Sequence, residues 1–144
     1  MPPQAAMKKQ PVLYLTYDGL SDPLGQSQVL PYLTGLSKKG WNITVISFEK
    51  RDRLKAEKNR IKQVCSEYDI DWIPMIYHKS PPVISTLYDL KKLRSEVREI
   101  VKSKNPFLIH CRSYLPMLVA MKFQKKGIKV LFDIRGFWAD ERVE

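Results

Sequence analysis

Five short apolar runs punctuate the chain, at residues 12–17, 43–48, 70–77, 106–111 and 128–134. Between each pair lies a stretch whose apolar residues recur every three or four positions. Val29, Leu30, Leu33 and Leu36 form the first such stripe and Leu54, Ile61, Val64, Cys65 and Tyr68 the second. Leu90, Leu93, Val97, Ile100 and Val101 form the third, and Leu115, Leu118, Val119 and Phe123 the fourth. Short runs rich in β-branched residues are strands, and stripes of helical period are helices. Gly40 and Gly127 follow the first and last stripes, where a helix stop is expected. Pro31 and Pro116 lie about one turn past starts expected near Ser27 and Ser113, where a missing N–H costs no hydrogen bond. Pro74, which removes a ladder donor, points to a strand end or a sheet edge in the third run.

The order β-α-β-α-β-α-β-α-β, with nearly continuous apolar strands, calls for a parallel sheet covered on both faces. The expected fold is therefore α/β, a doubly wound Rossmann-like sheet of five strands in the order 3-2-1-4-5. Residues 1–10 are expected to be a flexible tail and residues 11–144 one domain. A chain of 144 residues buries roughly 70% of its unfolded surface on folding, enough for a core without metal or disulfide. The longest apolar run, residues 115–121, is far short of the ~20 residues of a membrane span. The start lacks the apolar stretch of a secretory signal, and Cys65 and Cys111 suit neither a disulfide framework nor a zinc site. A reduced, soluble, cytoplasmic domain is expected.

Charge is the unusual bulk property. Twenty-five Lys+Arg against fifteen Asp+Glu give +10 and a pI near 9.6, which favours nucleic acid, an anionic membrane surface or a phosphorylated small molecule. Residues 51–67 hold six bases and three acids, and residues 91–104 six bases and two acids. With their stripes turned to the sheet, these helices present their bases outward, either as a solvated face or as a patch for anionic lipid. Aromatic residues do not interleave with these bases as in a stacking platform, so nucleic acid is not an expected partner.

In an open α/β sheet, ligands sit at the carboxyl ends of the strands, near the point where strand order reverses. The uncommon polar residues gather at those ends: the loop 18–27 after the first strand, His78 after the third, His110 and Arg112 at the fourth, and 133–142 after the fifth. The loop matches neither G-x-G-x-x-G nor the P-loop. Gly25 is either a turn glycine or the opening of an anion hole at a helix start. By the two-residue strand period Arg112 projects to the same side as His110. Asp133 and Arg135 share a face, within a string that is either a salt-bridge network clamping the last loop or part of a site.

Several strings together carry a resemblance. They are Tyr14-Leu15-Thr16-Tyr17-Asp18-Gly19, Leu24-Gly25-Gln26-Ser27-Gln28, His110-Cys111-Arg112-Ser113-Tyr114 and Phe132-Asp133-Ile134-Arg135-Gly136-Phe137-Trp138-Ala139-Asp140-Glu141-Arg142. They resemble the amino-terminal domain of bacterial family 4 glycosyltransferases over residues 11–144. That family has the GT-B fold, two Rossmann-like domains facing a cleft. The resemblance implies that this domain binds the acceptor, a glycan or lipid-linked glycan of surface polysaccharide synthesis, while a second domain holds the nucleotide-sugar donor. It implies retaining transfer with no metal and no cofactor beyond the donor, at the inner membrane leaflet. The family's paired-glutamate donor motif is not among these residues, so the 144 residues alone are expected to have no turnover.

The expected catalytic residues are His110, Arg112 and Asp133. Arg112 and helix-terminal N–H groups near Gly25 would stabilise the departing diphosphate, and His110 or Asp133 would orient or deprotonate an acceptor hydroxyl. Loss of any of the three is expected to lower turnover and leave folding intact. The expected substrate-binding residues are Asp18, Gly19, Gly25, Gln26, His78, Arg135, Gly136, Trp138, Asp140 and Glu141. The alternative is a non-enzymatic doubly wound module, regulatory or anion-binding. A receiver-like acidic pocket finds only a loose match in Asp18 and Asp22.

Overall fold

A computed structural model describes residues 10–134. Its five parallel strands, β1 (Gln10–Thr16), β2 (Trp41–Glu49), β3 (Asp71–Ile76), β4 (Leu108–Arg112) and β5 (Lys129–Asp133), form one sheet in the order β3-β2-β1-β4-β5. This is the expected doubly wound arrangement, with the reversal of strand order between β1 and β4. Pro74 lies in the edge strand β3, where a missing ladder donor is tolerated. Gln10, expected in the tail, opens β1 opposite Trp41.

The helices are α1 (Leu30–Lys38), α2 (Arg51–Glu67), α3 (Pro82–Lys104) and α4 (Tyr114–Ala120). Side chains alternate across β1. Leu13 and Leu15 pack with Leu93 and Val97 of α3 and Val119 of α4, whereas Tyr14 packs with Leu33 of α1 and Ile61 and Cys65 of α2. Each buried Leu or Ile contributes about 1.5–3 kcal/mol, and helices on both faces let each strand be apolar throughout.

Two helix details differ from the periodic expectation. Helical backbone begins at Pro23, ahead of Ser27, and widens into a π-helical turn, Gly25–Val29, that runs straight into α1. Leu30 N–H bonds Gly25 O, and the wide turn accommodates Pro31, whose ring would clash with a carbonyl four residues back. In α4 the buried residues are Pro116, Val119 and Ala120, joined by Phe123, while Leu118 is exposed. The stripe is rotated by one position within α4, which ends at Ala120 and continues as a tighter 3-10 turn, Met121–Lys126. Gly40 and Gly127 close their helical segments at φ 96° and 80°, a conformation that suits glycine.

Candidate functional site

The loop after β1 is held from beneath by a carboxylate. Glu49, last residue of β2 and fully buried, accepts hydrogen bonds from Leu20 N–H at 2.8 Å, Ser21 N–H at 3.0 Å, Ser21 Oγ at 2.6 Å and from Ser47 Oγ. Both loop glycines serve that packing. A Cβ on Gly19 would lie 2.7 Å from Glu49 Oε1, and one on Gly25 would lie 1.9 Å from Gly19 O. Gly25 is itself buried, so close approach of backbone to backbone accounts for it. Gln26 also turns inward: its Nε2 donates to Ser21 O at 2.9 Å, and its Oε1 accepts from Arg60. Arg53 Nη2 donates to the same Ser21 carbonyl at 2.8 Å.

At the reversal of strand order, Asp18 and Arg112 meet across the gap between β1 and β4. Arg112 Nε donates to Asp18 Oδ2 at 3.2 Å and its Nη2 to Gln28 Oε1 at 3.1 Å. Its Nη1 is buried without a hydrogen-bond partner among the described residues. The guanidinium side chain is 4% exposed and the Asp18 side chain 47%, so Asp18 forms the open side of the pair.

His110 lies on the same face as Arg112, as the two-residue period predicts. It sits within β4, two residues before its end, with its ring centroid 4.7 Å from Tyr14 and 5.6 Å from Tyr32. Its Nε2 stands 3.3 Å from Asp133 Oδ2, and Asp133 is the β5 partner of Arg112 in the sheet register. Imidazole, guanidinium and aspartate are thus neighbours. His110 and Arg112 are both buried at 3% exposure. Replacing either with Ala is therefore expected to cost stability as well as turnover, through the cavity and the unpaired groups it leaves. Asp133 is the more open member of its pair.

Immediately after Arg112 the backbone is strained. Ser113 holds φ 75° and ψ −176°, a region suited to glycine. Its N–H bonds Asp133 O at 3.1 Å, which locks the end of β4 to the end of β5.

His78 lies at the same edge but joins the opposite face. Its Nδ1 is 2.7 Å from Asp89 Oδ1, and its backbone N–H donates to Asp89 Oδ2 at 3.0 Å. Tyr17 OH also donates to Asp89 Oδ2, at 3.1 Å. Asp89 is fully buried in α3. Burial, and then the Asp89 charge, push the Tyr17 phenol well above its ordinary value. A carboxylate facing Nδ1 favours a proton on that nitrogen; the His78 side chain is one-third exposed.

Sequence reasoning missed Glu49 and Asp89. Each carried a signal: Asp89 stands four residues ahead of Leu93 in the buried stripe of α3, and Glu49 ends an apolar strand on the face of Ile43 and Val45. Arg135, Gly136, Trp138, Asp140 and Glu141 lie outside the described residues. No cluster of three or more His, Cys, Asp or Glu that would hold a metal occurs among the described residues. Among the described residues, cavities of about 300 and 310 Å³ lie at the start of β3 and between α1 and α2, the second lined in part by Gln26. No helix among the described residues is long and apolar enough to cross a membrane.

No protein-family model and no curated protein sequence matches the chain. Solved structures do match in shape. The C-terminal domain of PF1911 hydrogenase from Pyrococcus furiosus superposes at TM-score 0.62 and 15% identity, over 89% of this chain and 93% of that domain. CalG4, the calicheamicin glycosyltransferase, superposes at 0.63 and 10% identity, over 95% of this chain and 36% of that one. A glycosyltransferase from Rickettsia africae superposes at 0.53 and 17% identity, over 95% and 34%. The chain spans about a third of the length of these two glycosyltransferases. What the likenesses establish is the fold, a Rossmann-like α/β domain that glycosyltransferases share with a hydrogenase domain.

Proposed function

We propose that this chain is the acceptor-side half of a bacterial glycosyltransferase of the family 4 kind, transferring a sugar with retention from a nucleotide-sugar to a glycan or lipid-linked acceptor. The observation that carries the reading is the Asp18–Arg112 pair at the reversal of strand order, with one guanidinium nitrogen unsatisfied among the described residues. An unpaired buried donor costs about 1–3 kcal/mol, more when charged, and an oxyanion brought to it recovers that cost. A departing diphosphate develops such charge, and a cation fixed beforehand stabilises it without reorganisation.

Asp133, steadied by His110, and the open carboxylate of Asp18 are placed to hold acceptor hydroxyls. The second wall of the cleft, with the donor, belongs to a domain beyond these residues. The chain alone then lacks half of the positioning that transfer requires.

The test is sugar transfer from a set of nucleotide-sugars by the whole protein that contains this chain. Arg112→Lys keeps the charge and loses the fork of donors; it is expected to lower kcat by roughly 100-fold, the scale of one lost oxyanion donor, with the fold intact by circular dichroism. Absence of transfer with every donor, or an unchanged kcat in Arg112→Lys, overturns the reading. Transfer by the 144 residues alone overturns the half-cleft part of it. The near full-length match to the hydrogenase domain favours a second reading, a non-enzymatic doubly wound module, which predicts no transfer at all.

A further inference from the structure

Helix α3 has two faces of opposite character. Ser85, Asp89, Leu93, Val97 and Val101, four residues apart, are its buried stripe. On the outward side of its first turns Val83, Ile84, Leu87 and Tyr88 are 71%, 67%, 62% and 48% exposed. Farther along, the same outward side carries Lys91, Arg94, Arg98 and Lys102, all exposed. Single exposed apolar residues are ordinary, but four large ones on adjoining turns form a patch. Lys92 Nζ stands 5.0 Å over the Tyr88 ring, so bases border the apolar half directly.

We infer that α3 docks on an anionic lipid surface, with Val83, Ile84, Leu87 and Tyr88 entering the boundary of headgroups and acyl chains and Lys91, Arg94, Arg98 and Lys102 lying on the headgroups. Charge complementarity selects this occupant. The outward face from Lys91 onward is basic, its acids being Glu96 and Glu99, and the whole chain carries +10. A second copy of the chain would set like charge against like. Nucleic acid would find aliphatic side chains where it needs stacking rings. Helices that lie in a membrane interface combine these two halves, apolar contact with electrostatic attraction to anionic lipid.

The patch also adjoins the site. Tyr88 meets His78 edge-on at 5.2 Å, so a leaflet on α3 brings lipid-linked molecules beside the carboxyl edge of the sheet. The inference gives the anionic-lipid patch a residue-level docking face on α3, and its observations do not depend on sugar transfer.

Flotation of the 144-residue chain with phosphatidylcholine vesicles, with and without an equal part of phosphatidylglycerol, tests it. Binding is expected at least tenfold tighter to the anionic vesicles and to weaken as salt rises. The exposed double substitution Ile84→Glu with Leu87→Glu should cut binding at least tenfold at unchanged melting temperature. Separately, the emission of Leu87→Trp should shift to the blue on anionic vesicles alone. Three outcomes overturn the inference: equal binding to both vesicle types, full binding by the double glutamate variant, or a concentration-dependent dimer that the same variant dissolves. Because none of these readouts involves sugar transfer, failure here leaves the transferase reading standing, and the reverse holds.

Discussion

Glu49 and Asp89 are both fully buried carboxylates at the carboxyl edge of one sheet, yet they sit in opposite kinds of surroundings. Glu49 is ringed by backbone N–H groups and serine hydroxyls, none of which changes charge. Asp89 holds a histidine ring that reaches solvent and a tyrosine hydroxyl. Burial of a charge thus says only that its partners are good. Whether a network bears on chemistry depends on whether one member faces outward. Glu49 shapes the loop and stops there, while Asp89 favours a proton on one nitrogen of a ring at the rim.

The largest effect should come from Glu49→Ala, which strands two N–H groups and two hydroxyls in a dry site. We expect a loss of roughly 3 kcal/mol or more, read as the urea midpoint; a midpoint unchanged from the native chain would break the comparison. Asp89→Asn should cost less, about 1–2 kcal/mol, because the His78 ring can turn to water. Its sharper readout is the ring itself. Nitrogen-detected NMR should show a Nδ1–H tautomer in the native chain and a mixture in the variant.

Ser113→Gly should work in the other direction, adding about 1 kcal/mol by relieving the strained φ at the end of β4. A loss instead would mean that the serine side chain outweighs the backbone term. A further effect, confined to high pH, is on alkaline stability. Burial raises Cys65 to about 11 and Cys111 to about 12, and Tyr17 is raised as well. Their contribution is complete below the unfolded values, near 9 for the thiols and 10 for the phenol, and is lost as pH rises toward the folded ones. The urea midpoint should therefore fall above about pH 9. Tyr17→Phe should remove part of that slope, whereas Ser21→Ala beside Glu49 should remove none.

Much of this architecture was legible in the residues. The five runs match the five strands to within two residues at either end, Pro74 falls in the edge strand, and Gly40 and Gly127 end their helices. The two-residue period placed His110 and Arg112 on one face correctly. Less was legible where a contact spans the chain. Nothing local says that Arg112 meets Asp18, 94 positions away, or that Asp89 serves His78. Gly25 could be read from the sequence as a turn glycine or as an anion hole, whereas the close packing of Gly19 on Glu49 and of Gly25 on the Gly19 backbone appears only in three dimensions.

The order of hydrophobic periods by itself determined the strands, the helices, the parallel sheet and its winding, because each element must bury its apolar side and short crossovers leave few ways to do so. Only the tertiary structure decided which polar groups share a cluster, which of them are buried, and that the outer side of the first turns of α3 is left apolar. A pattern along the chain says which side of an element faces inward; it does not say what stands opposite, since that partner comes from a distant segment and is chosen by packing.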